Sequence, residues 1–164
     1  MDNVLYFDFE ISRNSKKIQD IGAIHHGLEF HKNNISDFFK FSENSEYACG
    51  HNIFNHDLKY LYDQIGNHLF FKRQFIDTLL ISALLFADKP YHRLVKDYHI
   101  LDDQPYANDP LYDSKLSKQL LEDEINKFGE LPELLKNIYF KLLGGHKRFK
   151  GFFSLIHRND SFND

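Results

Sequence analysis

The chain of 164 residues lacks tryptophan, has one cysteine and contains only four prolines. A lone Cys49 excludes an internal disulfide and a cysteine-based zinc site, and its apolar surroundings (EYACGHN) predict a core position. No apolar run approaches the length of a membrane span. The opening MDNVLYFDFE also lacks the basic and then apolar layout of a signal peptide. We therefore expect a cytoplasmic protein without a membrane partner.

The sequence also lacks an excess of positive charge. Its formal net charge is −4 at pH 7, whereas proteins that bind nucleic acid through phosphate contacts alone are usually basic. If this chain handles nucleic acid, local basic patches and bound divalent cations must offset its acidic balance. The hydrophobic fraction of 42%, in contrast, is ordinary for a soluble protein, and the length allows one compact domain with a proper core.

The pattern of apolar residues predicts an α/β fold with a mixed central sheet. Three strands, VLYFDF (4–9), IQDIGAIHHG (18–27) and LEFHK (28–32), are expected to form an antiparallel meander. SEYACGHN then predicts a strand that runs into a helix beginning near Phe54. KRQFIDTLLISALLFA predicts a further strand followed by a buried helix.

Helices dominate the second half of the prediction. A short helix is expected to start at Pro90, and an amphipathic helix runs from Leu111 to near Gly129. A last helix starts at Pro132 and ends at the glycines 144–145. We expect residues 1–145 to form the domain, and residues 146–164 to be a docked C-terminal tail or a linker to a further domain.

Two carboxylates lie one residue apart in YFDFEIS (6–12), inside an otherwise apolar strand. Side chains alternate along a strand, so Asp8 and Glu10 project from one face while Phe7 and Phe9 face a core on the other. Two like charges at this spacing repel each other and resist burial. The pair therefore indicates a compensating cation, or else the solvent-facing side of an edge strand.

Two more acidic residues lie near predicted helix starts, Asp57 after the fourth strand and Asp113 in the long late helix. Each alone is also explained by the helix macrodipole, which favours acids at N-termini. Together with Asp8 and Glu10, however, they indicate a metal site, because four converging carboxylates need cations. Oxygen ligands select Mg²⁺ or Mn²⁺, and two such ions about 3.5–4 Å apart form a clamp for phosphoryl chemistry.

These residues, in this order, resemble the DEDD 3′-to-5′ exonucleases, a superfamily with an RNase H-like fold. The first motif, D-x-E followed by a small hydroxyl residue, matches Asp8, Glu10 and Ser12. The second matches GHN (50–52) with Asp57, and the third supplies Asp113. The resemblance covers about residues 3 to 128.

The resemblance implies a nuclease that hydrolyses phosphodiester bonds at 3′ ends, with single-stranded DNA as the expected substrate. It implies two Mg²⁺ or Mn²⁺ ions held by Asp8, Glu10, Asp57 and Asp113. It also implies a pocket for the terminal nucleotide, lined by Phe9, Ile11, Ser12, His51 and Asn52.

One departure from the family concerns the general base that deprotonates the attacking water. The family has a histidine five residues before the last aspartate, or a tyrosine four before it, and this chain has Asn108 and Asp109. An amide cannot accept a proton near neutral pH. Three explanations stay open. The metal alone activates water, a histidine such as His56, His92 or His99 substitutes, or the domain binds nucleic acid or a partner protein without cutting.

Further patterns add weaker expectations. The blocks GHNIFNHDLKYL, YHRLVKDY and NDPLYDS resemble nuclease domains fused ahead of helicases in bacteria, which implies a fused or associated helicase. The segment HKRFKGFFSLIHR (146–158) either covers an apolar face or contacts a nucleic-acid backbone. A histidine-based metal hydrolase is disfavoured, because the adjacent His25 and His26 would point to opposite faces of a strand.

Overall fold

The structure, a computed structural model, describes residues 3–94 and 109–160. Its strands are β1 (Val4–Ile11), β2 (Ile18–His25), β3 (Leu28–His31), β4 (Tyr47–Gly50) and β5 (Gln74–Asp77). They form one sheet in the order β3-β2-β1-β4-β5. β1, β2 and β3 are antiparallel neighbours, whereas β4 and β5 run parallel to β1. The predicted mixed sheet is confirmed and is consistent with an RNase H-like α/β fold.

Six α-helices in the described residues flank this sheet. They are α1 (Ile35–Phe41), α2 (Asp57–Ile65), α3 (Thr78–Leu85), α4 (Pro110–Gly129), α5 (Glu133–Leu143) and α6 (Lys150–Asp160). None of them is long and apolar enough to cross a membrane. The helix expected at Pro90 is absent over residues 90–94, and the rest of that segment lies outside the described residues.

The turn between β2 and β3 corrects one detail of the sequence analysis. His26 and Gly27 both have positive φ, 51° and 75°, as a two-residue type I′ hairpin turn requires. His26 therefore lies outside the strand, and its ring centroid is 4.1 Å from that of His25. The two rings lie together rather than on opposite faces.

The alternation along β1 divides the core between the two faces of the sheet. Phe7 and Phe9 pack with Phe38 of α1 and Leu61 of α2 on one face. Tyr6 belongs to the other core, which α3, α4 and α6 cover. Asp8 and Glu10 share the face of Tyr6, since side chains two apart point the same way. The acidic pair consequently faces α4.

The C-terminal segment forms the helix α6, which belongs to the main core. Phe152 and Phe153 are 0% and 2% exposed. A Cβ on Gly151 would lie less than 3.0 Å from the backbone oxygen of Phe75 in β5, so the helix packs directly on the strand backbone. The sequence left two alternatives for residues 146–164, a docked tail or a linker. The side chains described there, up to residue 158, include several that pack into the core. The main core therefore includes residues of α6.

Candidate metal centre

β1 presents Asp8 and Glu10 near its C-terminal end. The phenylalanines on either side of Asp8 are buried, at 0% exposure for Phe7 and 2% for Phe9. Their burial fixes the strand's orientation, because a shift of one residue would turn both rings away from the core that holds them and toward the face that α4 covers. Asp8 and Glu10 are partly exposed on the opposite face. The two carboxylates thus reach solvent from a rigid strand.

The start of α4 presents the third carboxylate. Asp109 is the N-cap, and its Oδ1 accepts hydrogen bonds from the N–H groups of Leu111 (2.9 Å) and Tyr112 (3.2 Å). Pro110 follows at the first helical position, which suits its fixed φ and missing N–H. Asp113 then lies in the first turn and is 9% exposed.

A glycine on β2 lets α4 approach the sheet closely enough for Asp113 to reach β1. Gly22 pairs with Asp8 across the β1–β2 ladder. A Cβ at Gly22 would lie less than 3.0 Å from backbone atoms of Pro110 and Leu111. The buried hydroxyl of Ser114 donates toward the Gly22 carbonyl (2.9 Å) and toward the Pro110 carbonyl (2.7 Å). The first turn of α4 is therefore fastened to β2 beside Asp8.

The result is a compact acidic cluster. One carboxylate oxygen from each of Asp8, Glu10 and Asp113 lies within 4.8 Å of the other two. Carboxylates this close repel one another unless a cation or protons intervene. Oxygen-only ligands favour hard cations such as Mg²⁺, Mn²⁺ or Ca²⁺ over softer metals. The donor set fits a hard divalent ion.

Asp57 lies beside this cluster without being part of it. It is the first residue of α2 and is 1% exposed. Its Oδ1 accepts a 2.8 Å hydrogen bond from the backbone N–H of Phe9, the residue between the two strand carboxylates. Three of the four predicted metal ligands therefore converge, and the fourth is bound to the strand that carries two of them.

His56 extends the site on the side of Asp57. Its Nδ1 lies 3.6 Å from Asp57 Oδ2, and its side chain is 45% exposed. The contact with Asp57 raises the pKa of His56, the charge of Glu10 acts in the same direction, and partial burial opposes both. Of the histidines suggested as a substitute base, His56 is held beside an acidic residue of the site. His92 is instead hydrogen-bonded to Ser82 of α3 at 2.9 Å, and His99 lies outside the described residues.

The loop between β4 and α2 is held by Asp77, the N-cap of α3. Its carboxylate accepts hydrogen bonds from the N–H groups of Asn52 (2.7 Å), Phe54 (3.2 Å) and Leu79 (3.1 Å). Burial raises the pKa of the Asp77 carboxyl, although the three donors pull it down. Asn52 has a positive φ of 62°, a conformation that asparagine tolerates better than most residues. Asp77 thus supports the segment that leads into Asp57.

His51 is a half-buried side chain that contacts the start of α3. Its Nδ1 lies 2.9 Å from the hydroxyl of Thr78. Burial lowers the pKa of His51 to about 4, and nearby His92 adds to this effect. The imidazole is therefore uncharged near pH 7. It can offer a hydrogen bond to a nucleotide but no charge to a phosphate.

The other residues predicted to bind substrate have mixed surroundings. The Phe9 ring is buried in the core, so this residue contributes to the site through its backbone. Ile11 and Ser12 are half-buried, and Ser12 Oγ accepts from the N–H of Ser15 (3.2 Å). Asn52 Oδ1 accepts from Asn55 (3.0 Å). Asn108 lies outside the described residues.

Sequence reasoning missed the residues that position the cluster. Gly22 gave a signal, since a glycine in the middle of a predicted strand marks a bulge or a close approach of another backbone. Asp109 directly before Pro110 has the form of an N-cap followed by proline at the first helical position. Ser114 gave no signal of its own.

Comparisons of the chain with protein-family profiles, with curated proteins and with solved structures give no match.

Proposed function

We propose that this protein is a metal-dependent 3′-to-5′ exonuclease that hydrolyses phosphodiester bonds at the 3′ ends of single-stranded DNA. One observation carries the proposal. Asp8, Glu10 and Asp113 come from distant parts of the chain, yet they present carboxylate oxygens within 4.8 Å of one another. The mixed sheet around them supports it, as does Asp57 beside the strand.

In this proposal Asp8, Glu10, Asp57 and Asp113 hold two Mg²⁺ or Mn²⁺ ions. When bound, such ions neutralise phosphate charge and lower the pKa of water. The protein's contribution is rigidity, because a strand and two helix N-termini fix the carboxylates before substrate arrives. Ser12 follows the end of β1, and His51 and Asn52 lie in the loop that precedes α2. In this proposal these three residues contact the terminal nucleotide.

A proton acceptor is proposed at His56. Asp109, which occupies the position of the family's tyrosine, uses Oδ1 to cap α4. His56 is partly exposed and lies beside Asp57. Proton transfer to a positioned side chain typically contributes a factor of about 10²–10⁴ in rate. Replacement of His56 by glutamine should therefore slow turnover without removing the metal ligands.

The alternative function is a weakly active or inactive module that binds nucleic acid or a partner protein. The capping role of Asp109 favours it, because that carboxylate is already engaged by two N–H groups. A fused or associated helicase and a cytoplasmic location remain predictions from the sequence. Digestion assays separate the two functions, since a binding module retains affinity for the strand without shortening it.

The test uses a 5′-labelled single-stranded oligonucleotide with Mg²⁺ or Mn²⁺. We expect a ladder of shortened products from the parent and none from Asp8→Asn or Asp113→Asn. Asp63→Asn is the matched control, because Asp63 lies exposed on α2. Asn108→His tests the missing base. If only that variant cuts, the natural protein is the binding module. If neither parent nor variant cuts, the proposal fails.

A further inference from the structure

The turn between β1 and β2 concentrates positive charge in an acidic protein. We name residues 12–17, SRNSKK, the basic turn. Arg13, Lys16 and Lys17 are exposed, and the turn contains no acidic residue. None of the three forms an ion pair within residues 3–94 and 109–160, whereas other lysines pair with carboxylates, as Lys115 does with Glu29 at 2.7 Å. Three cations at one place are therefore available to a ligand.

The basic turn lies directly beside the acidic cluster. It begins two residues after Glu10, on the strand that also carries Asp8. Even a fully extended chain places Arg13 no more than about 10 Å from Glu10. The ladder with β2 continues to the pair Ile11 and Ile18, so the turn starts where the sheet ends. A phosphodiester at the carboxylates would have its neighbouring phosphates within reach of these cations.

Hydrogen bonds fix the shape of the basic turn before any ligand binds. The N–H of Ser12 donates to the carbonyl of Lys17, and the N–H of Lys16 donates to the carbonyl of Ser12, both at 2.9 Å. The hydroxyls of Ser12 and Ser15 accept from two more N–H groups. Lys16 has a φ of 59°, which costs a side-chain-bearing residue about 1–2 kcal/mol. The backbone that carries the cations is thus preorganised.

We propose that the basic turn binds the phosphate backbone of single-stranded nucleic acid next to the carboxylates. The choice of ligand rests on the proposed function. Any polyanionic ligand would need positive charge near this site, because a net charge of −4 and a carboxylate cluster repel a polyanion. Cations at the edge of the site supply the attraction that brings the strand in, and counterion release makes this attraction dependent on salt.

The test measures binding of a fluorescein-labelled twelve-nucleotide oligo-dT strand by anisotropy, in EDTA, at several NaCl concentrations. Without divalent ions the result does not depend on the metal centre. The variant combines Arg13→Gln, Lys16→Gln and Lys17→Gln. Each lost phosphate contact should reduce the slope of log K against log salt by about 0.7. We expect the slope to fall by roughly 2 and binding at low salt to weaken by one to two orders of magnitude.

A matched control combines three exposed or partly exposed lysines far from the turn, Lys127→Gln, Lys136→Gln and Lys141→Gln. It changes net charge by the same amount, and Lys127 lies roughly 20 Å along α4 from Asp113. A single Lys16→Gly variant separates binding from folding. Glycine suits the positive φ, so stability should not fall, whereas the salt slope should still decrease by about 0.7.

The outcomes separate this inference from the proposed function. Suppose that binding weakens in the basic-turn variant but not in the lysine control, and that the parent does not digest the strand in Mn²⁺. This result supports binding by the basic turn and refutes the exonuclease proposal. Digestion by the parent with an unchanged salt slope in the basic-turn variant supports the exonuclease and overturns the basic turn. The inference is also overturned if the parent does not bind the strand or if the lysine control weakens binding equally.

Discussion

Replacement of Gly22 by alanine should disable the metal centre while leaving most of the fold intact. Gly22 lies opposite Asp8 on β2, under the first turn of α4. The added methyl carbon would lie less than 3.0 Å from backbone atoms of Pro110 and Leu111, whereas ordinary contact starts at 3.4 Å. Backbone cannot rotate aside as a flexible side chain can. The start of α4, with Asp113, must therefore move away from β1.

The size of the effect follows from the required movement. Restoring normal contact displaces the helix start by roughly 1 Å, and Mg²⁺ demands oxygen ligands at about 2.0–2.1 Å in near-ideal geometry. A misplacement of about 1 Å can cost a factor of 10² in rate. We expect about a hundredfold loss of Mn²⁺-dependent digestion, with a loss of about 1–3 kcal/mol in the free energy of unfolding from overpacking.

The assay combines initial digestion rates with thermal melts of each variant. Gly129→Ala is the matched control at the other end of α4, where an added Cβ meets nothing within 4 Å. Ser114→Ala provides a milder version, because it removes the hydroxyl that donates toward the Gly22 carbonyl and should cost about 1 kcal/mol. Wild-type digestion by a folded Gly22→Ala protein would refute the reasoning that this close approach places Asp113.

Three further predictions concern the core and the site. Glu124 is fully buried without a hydrogen-bond partner in the described residues, and burial raises its pKa well above 4.5. A raised pKa means that the folded protein binds this proton more tightly than the unfolded chain does, so stability should decrease as the pH rises above the ordinary range of a glutamate pKa; Glu124→Gln should flatten this decline in melts across pH. Phe153→Ala should destabilise by about 3–5 kcal/mol in denaturant titrations, because α6 is a core helix, and an unchanged midpoint would contradict that. His56→Gln should lower the digestion rate at least tenfold with unchanged Mn²⁺ affinity in calorimetric titration, and an unchanged rate would exclude it as the base.

Much of the fold could be predicted because the local signals agree with the tertiary structure. The alternation of apolar side chains in VLYFDFEI allows only one register against a buried core, and it identified β1 and the face that carries Asp8 and Glu10. The strand and helix around FIDTLL and the long α4 were predicted for similar reasons. Helix starts were less accurate, and α2 begins at Asp57 rather than near Phe54.

The parts that could not be predicted depend on contacts between distant segments. α6 was not predicted, although its buried residues Phe152, Phe153, Leu155 and Ile156 are spaced as on one face of a helix. The core that they enter is built by other elements. The hydrogen bond from the backbone of Phe9 to Asp57 is a three-dimensional contact that no spacing rule specifies. The convergence of Asp113 on β1 likewise depends on Gly22, whose role appears only when α4 is packed on β2.

The most direct test of the proposed metal centre is to locate Mn²⁺ by anomalous scattering in crystals of the protein soaked in manganese. We predict two peaks about 3.5–4 Å apart, surrounded by the carboxylates of Asp8, Glu10, Asp57 and Asp113. An Asp113→Asn crystal soaked in the same way should lose at least one of them. Ordered density for all four side chains without a manganese peak between them would contradict the central claim.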